Sequence, residues 1–343
     1  MRVVSIVGTR PQFIKVAPIS WRSRDLCEHL IINTGQHYDP ELSDDFFKEL
    51  DIPSPIENLY SGSGNHGEQT AKILSRTEEV LLKLKPDRVL VYGDTNSTIA
   101  ATLASVKLGI KTGHVEAGLR SFNRGMPEEI NRVGTDHLSD ILFAPTKAAL
   151  QNLVNEGLAE KSYLVGDVMV ETLNYMRNKV LTKNIIVSEK IFTTIHRAEN
   201  TNSKERLQFV ISNLAKSPIP IHLYSHPRLV SKAKEFSIEL SQGSIKVFKP
   251  ASYLKTVTEI LESKGVITDS GGLQKEAYLL GRPCLTIRSE TEWSATIESD
   301  WNVLDPNLNQ ISNQWWSKVG KPINESAFDR VNSSSRILEL LFK

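Results

Sequence analysis

Short runs of β-branched and other apolar residues alternate with helix-length amphipathic segments along almost the whole chain. In the first half the apolar runs fall at residues 3–7, 30–33, 88–92, 112–115 and 141–143. Helical periodicity marks residues 66–83 and 97–107 between them. The second half repeats the rhythm, with runs at 191–194, 219–224, 245–248, 265–268 and 283–287. Strands of this kind, joined by helical stretches, predict parallel sheets covered on both faces, hence an α/β fold. Over 165–184 the pattern passes from a strand through a helical stretch into a polar segment. That change predicts a first domain over residues 1–168 and a second over 169–329. The tail, 332–343, reads as one amphipathic helix.

Composition narrows the picture by exclusion. A chain of 343 residues suits two domains. Its 41 basic and 40 acidic residues leave a net charge of +1. Neither a nucleic-acid partner nor a membrane surface is expected, so positive charge serving an anionic ligand must be local. The apolar runs are too short to span a bilayer, and Met1-Arg2 leads directly into a strand without signal-peptide anatomy. Cys27 and Cys284 match no metal or redox spacing and read as buried thiols of a reducing compartment. The expectation is a cytoplasmic protein without a metal.

Two open parallel sheets in tandem place ligands at the carboxyl ends of their strands, in a cleft between the sheets. The unusual residues lie in the turns that follow strands. After the first run comes Gly8-Thr9-Arg10-Pro11…Lys15, where backbone amides at a helix start and two cations suit an anion. The runs at 88–92 and 112–115 are followed by Asp94 and Glu116. Asp94 is equally readable as a helix N-cap; Glu116 has no such explanation. Pro127-Glu128-Glu129 opens a helix, and Glu128 lies four residues before Arg132, so a simple intrahelical pair competes with a chemical role. In the second half, His196-Arg197 after a strand suits a diphosphate. Asp269-Ser270-Gly271-Gly272 presents amides to a phosphate, with Glu276 two turns on to accept from a ribose.

Two patterns are set aside. Gly62–Gly67 spells G-x-G-x-x-G, but no buried strand precedes it and Asp87 stands before its strand rather than after, so it is no nicotinamide site. His222 and His226 sit in a strand-like stretch followed by Pro227, unlike a zinc-binding helix.

Taken together, these turns resemble the non-hydrolysing UDP-N-acetylglucosamine 2-epimerases. The matching segments are Gly8-Thr9-Arg10-Pro11…Lys15, Gly35-Gln36-His37, Gly93-Asp94-Thr95, His114-Val115-Glu116-Ala117-Gly118-Leu119-Arg120, Pro127-Glu128-Glu129…Asn131-Arg132, His196-Arg197 and Asp269-Ser270-Gly271-Gly272. They occur in family order over nearly the whole chain. Gln12-Phe13, Ala198, residues 289–293 and residues 329–332 depart from the common pattern. The resemblance implies two Rossmann-like domains of the GT-B-like kind, with a C-terminal helix over 330–343 packing back on the first, and a homodimer. It implies Asp94, Glu116 and Glu128 as acid/base carboxylates. Arg10, Lys15, Arg132 and His196 would surround the substrate and its diphosphate, while Ser270, Gly271, Gly272 and Glu276 would bind UDP.

The chemistry needs such groups. The C2 hydrogen of an acetamido sugar has no neighbouring carbonyl to acidify it. Without a nicotinamide, the remaining route loosens the anomeric C–O bond so that UDP leaves and C2 loses its proton, giving a C1=C2 glycal; UDP then returns as a proton arrives on the other face. Departure needs fixed positive charge, and C2 needs one group to take a proton and another to give one. Other readings stay open: epimerisation of UDP-2,3-diacetamido-2,3-dideoxyglucuronate, a glycosyltransferase of the same fold, a non-catalytic nucleotide-sugar sensor, or a hydrolysing relative.

Overall fold

The computed structural model describes residues 1–36, 46–182, 184–291, 293–298, 300–311, 316 and 332–343. His37, residue 292 and residues 329–331, which the sequence comparison used, lie outside the described residues. The chain divides into two compact units. One holds Met1–Thr172 and the C-terminal helix, and the other begins at Leu173.

Among the described residues the first unit carries a seven-stranded sheet in the order β3-β2-β1-β4-β5-β6-β7. The strands are β1 Arg2–Val7, β2 Glu28–Asn33, β3 Glu57–Asn58, β4 Arg88–Tyr92, β5 Lys111–Val115, β6 Ile141–Ala144 and β7 Ser162–Leu164. All pairs are parallel. The centre is apolar on both faces: Val3, Val4, Ile6, Val7, Val89, Leu90 and Val91 are sealed from water, as strands covered by helices on two sides require. Ala100, Ala101 and Ala104 are buried on helix Asn96–Lys107, where their small side chains let it lie close to the sheet. The C-terminal helix Ser333–Leu341 buries Ile337, Leu338 and Leu341. Glu171 accepts hydrogen bonds from the Ser334 amide and hydroxyl at its start, 2.8 and 2.6 Å. Arg88 donates to the Leu341 carbonyl at its end, 3.0 Å. Each charge has the sign the helix dipole favours at that end.

The second unit carries a six-stranded sheet among the described residues, order β10-β9-β8-β11-β12-β13. Here β8 is Ile191–Thr194, β9 Ile221–Tyr224, β10 Ile245–Phe248, β11 Gly265–Thr268, β12 Cys284–Thr286 and β13 Asn302–Leu304. Again every pair is parallel. Two strands start later than the apolar pattern predicts, and proline is the reason. Pro220 and Pro283 have no N–H for the ladder, and each adds only a carbonyl, accepting from Ile191 and Val266. Cys284 is buried as expected, whereas Cys27 is partly exposed.

In both sheets the strand order reverses beside the first strand of the unit, between β1 and β4 and between β8 and β11. Such switch points are where open α/β sheets hold ligands, because neighbouring turns diverge there. No helix among the described residues is long and apolar enough to cross a membrane.

Candidate active site

At the first switch point, β1 passes through Gly8-Thr9 into helix Arg10–Ser23. The Gly8 and Thr9 amides, which the sequence left open for an anion, are already taken. Gln12 Oε1 accepts from both, at 2.7 and 3.2 Å. Its Nε2 donates to the Tyr92 carbonyl at 2.6 Å and the Thr98 hydroxyl at 3.0 Å. One buried side chain therefore ties the β1 turn to the end of β4, and the amide-cradle reading is corrected: this turn offers an anion charged side chains. The spacing Thr9-x-x-Gln12 is a capping-box pattern, a signal in the sequence that would have found Gln12. Gly8 must be glycine, since a Cβ would meet Thr34 Oγ1 at 1.9 Å. Arg10 is exposed, its guanidinium 4.9 Å over the Phe46 ring.

Lys15 reaches inward from the same helix and forms an ion pair with Glu116. Burial alone would push the Lys15 ammonium down. Glu116 and Asp94 outweigh it, and the pKa is held above its ordinary value. Gly93, at φ +66°, passes so close that a Cβ would lie 3.1 Å from Lys15 Nζ. Glu116 has a φ of 75°, a left-handed conformation uncommon away from glycine and concentrated at functional sites.

Asp94 is no helix cap, because Thr95 takes that position. Its side chain, 30% exposed, forms an ion pair with Arg132. The intrahelical partner of Arg132 is Glu129, at 2.6 Å, rather than Glu128. Glu129 also accepts from the Ser121 and Phe122 amides, at 3.0 and 3.1 Å. The sequence reading assigned Glu129 no part in the site; its partners seven and eight residues earlier lie in an irregular turn that no periodicity reveals. Glu128 is half-buried on the first turn of helix Pro127–Leu138. The structure thus brings Lys15, Asp94, Glu116 and Arg132 into one linked set.

The second switch point is organised by Asp269, wholly buried after β11. Its carboxylate accepts from the His196 and Arg197 amides, at 3.1 and 2.9 Å, and from Asn200 Nδ2 at 3.1 Å. This shapes the β8 turn and fixes His196, whose side chain stays 35% exposed with Nδ1 3.2 Å from Asp269. Ser270 precedes helix Gly271–Leu279, but its amide donates to Thr268 Oγ1 at 3.0 Å. The three-amide phosphate turn is corrected to two, Gly271 and Gly272, which open the helix without an earlier carbonyl to bond. Glu276 is buried and accepts from the Tyr253 hydroxyl at 3.0 Å. Trp293 is also buried, with Lys275 Nζ 4.1 Å over its ring. The Gly62–Gly67 loop follows only the two-residue edge strand β3 and leads into helix His66–Leu84.

Comparison with known proteins identifies the family and the fold. The family profile described as UDP-N-acetylglucosamine 2-epimerase matches residues 20–341. A UDP-N-acetylglucosamine 2-epimerase homolog from Methanococcus maripaludis is 47% identical over 355 residues, 99% of each chain. The UDP-2,3-diacetamido-2,3-dideoxy-D-glucuronate 2-epimerase of Pseudomonas aeruginosa is 41% identical over 356 residues, 100% of each. The crystal structure of the Methanocaldococcus jannaschii UDP-GlcNAc 2-epimerase, in complex with UDP-GlcNAc and UDP, matches with a TM-score of 0.89 at 38% identity, covering 100% of this chain and 99% of that one. The two parallel-sheet α/β units are of the GT-B-like class that the sequence predicts. With matches that run nearly end to end, the chain belongs to the UDP-N-acetylglucosamine 2-epimerase family.

Proposed function

We propose that this protein interconverts UDP-N-acetylglucosamine and UDP-N-acetylmannosamine by eliminating UDP to a C1=C2 glycal and adding it back. The observation that carries the reading is the linked set at the first switch point: Asp94 and Glu116 held by Arg132 and Lys15. Elimination needs carboxylates to move the C2 proton and cations to receive charge developing on the diphosphate, and this set supplies both. In this reading Asp94, Glu116 and Glu128 serve as acid and base, with His196 beside the leaving group. Arg10, Lys15 and Arg132 stabilise the diphosphate, the Gly271 and Gly272 amides and Ser270 hold a phosphate, and Glu276 accepts from the ribose. The working enzyme is a cytoplasmic homodimer that uses neither metal nor nicotinamide.

Turnover in heavy water tests the route. Deuterium should appear at C2 of both recovered nucleotide sugars by NMR. Epimerisation that keeps the original C2 hydrogen rules out elimination. A second sugar, UDP-2,3-diacetamido-2,3-dideoxyglucuronate, is favoured by the full-length similarity to the Pseudomonas enzyme. Matched assays of both nucleotide sugars separate them: rapid turnover of the diacetamido acid alone replaces the leading assignment.

A further inference from the structure

Helix Pro127–Leu138 carries a polar stripe at Glu129, Arg132 and Asp136, spaced three and four residues apart and therefore on one face. Arg132 reaches the Asp94 side chain, and Glu129 holds Arg132, as described. Asp136 does something different. It is wholly buried, and its Oδ1 lies 2.7 Å from Nδ1 of His114, itself wholly buried on β5. The other ring nitrogen of His114 lies 2.7 Å from the Gly93 carbonyl. Oδ2 of the same carboxylate accepts from the Gly118 amide at 3.1 Å and pairs with Arg120 at 2.7 Å. Arg120 is held in turn by Glu156 at 2.7 Å. Burial alone would raise the Asp136 carboxyl, but His114 and Arg120 outweigh it and keep it below the usual range.

One carboxylate thus grips both candidate catalytic turns. Through His114 it fixes the carbonyl immediately before Asp94, and through Gly118 and Arg120 it fixes the turn that begins at Glu116. Both turns carry left-handed residues, Gly93 and Glu116; the glycine takes that conformation freely, but Glu116 does so at a cost and needs outside support to persist. A surface ion pair could not supply that support, because solvent competes for it; this chain is out of solvent throughout its centre.

We propose that Asp136 and His114 are positioning residues that set the spacing of Asp94 and Glu116, acting on the proton-transfer geometry and not on UDP binding. The proposal rests on the epimerase reading above. His114 makes both bonds only with a hydrogen on each ring nitrogen, since a carboxylate and a carbonyl can only accept.

Three measurements test it. First, His114→Gln and Asp136→Asn are assayed per folded molecule, with UDP affinity measured by calorimetry. A misplacement of about 1 Å is enough for a loss on the order of 100-fold in kcat. KM should stay within about threefold and UDP affinity should be unchanged, as expected when an interaction is lost only in the transition state. Second, the double variant should fall no further than the worse single variant, because both residues act through one chain of contacts. A folded single variant with near-normal kcat overturns the proposal, and so do losses that multiply. Third, if either variant does not fold, 15N spectra of histidine-labelled wild-type protein decide. Two N–H signals from His114 support the chain of bonds, and a bare ring nitrogen refutes it. A wild type that epimerises neither nucleotide sugar refutes the functional reading instead, and the histidine spectrum remains a separate result.

Discussion

Replacing His29 with glutamine tests how a largely buried imidazole in the first sheet responds to acid. His29 lies on β2 with Nε2 2.8 Å from Ser5 Oγ, which lies 2.7 Å from the buried Tyr92 hydroxyl. Its Nδ1 is shut away from water and has no hydrogen-bond partner among the described residues. Burial pushes the imidazole down from 6.5 to about 4. The folded state therefore prefers the neutral ring. Above the unfolded pKa the group has no effect on stability. As pH falls through that value, the unfolded chain gains a proton that the folded chain refuses, and stability drops until pH passes the folded pKa. The gap between 6.5 and about 4, at ~1.4 kcal/mol per unit, amounts to about 3 kcal/mol, most of it lost by about pH 4.5. Urea denaturation of the wild type and of His29→Gln between about pH 7.5 and about pH 4.5 reads the effect. The two units need not unfold together, so the difference between proteins is the useful quantity. That difference should shift by about 2–3 kcal/mol in favour of the variant at acid pH. A difference that stays flat refutes the reasoning.

Asp94→Asn, Glu116→Gln and Glu128→Gln should each lower turnover by about 100-fold or more with UDP affinity by calorimetry little changed; near-normal rates in all three mean that other groups move the proton. Glu171→Ala removes the acceptor of the Ser334 amide and hydroxyl. Stability by chemical denaturation should fall by about 1–2 kcal/mol, and adding Ser334→Ala should cost little more.

Much of the fold was legible because buried parallel strands write unbroken apolar runs. β4, β8, β10 and β11 have the bounds that the pattern predicts. Three of the four sheet edges were not legible. Glu57–Asn58, Ser162–Leu164 and Asn302–Leu304 are two or three residues long and carry polar side chains. They are strands because a neighbour supplies the ladder, which no local pattern records. The same division holds at the candidate site. Turn motifs drew attention to Lys15, Asp94, Glu116 and Ser270, since glycine, proline and charge after an apolar run are visible in one dimension. What each touches was not visible. Gln12 bonds to Tyr92 across 80 residues, and Asp269 organises a turn 73 residues before it. Backbone amides that look open in a sequence can be closed by a nearby side chain, as Gln12 of the following helix and Thr268 of the preceding strand do at the two switch points.

The C-terminal helix gives this chain an order of completion. Ser333–Leu341 is synthesised after every residue of the second sheet, yet it packs in the first unit, over Gly113 and under the grip of Glu171 and Arg88. A nascent chain therefore has all the strands of the second sheet before the first unit receives its last helix. Domains fold as units during synthesis, so the unit that appears first on the ribosome is the one finished last. Until then the apolar surface that Ile337, Leu338 and Leu341 will cover stays open beside helix Arg10–Ser23 and Gly113 of β5. Completion of the first unit is in this way tied to synthesis of residues 333–341, while the turn built on Asp269 is under no such constraint.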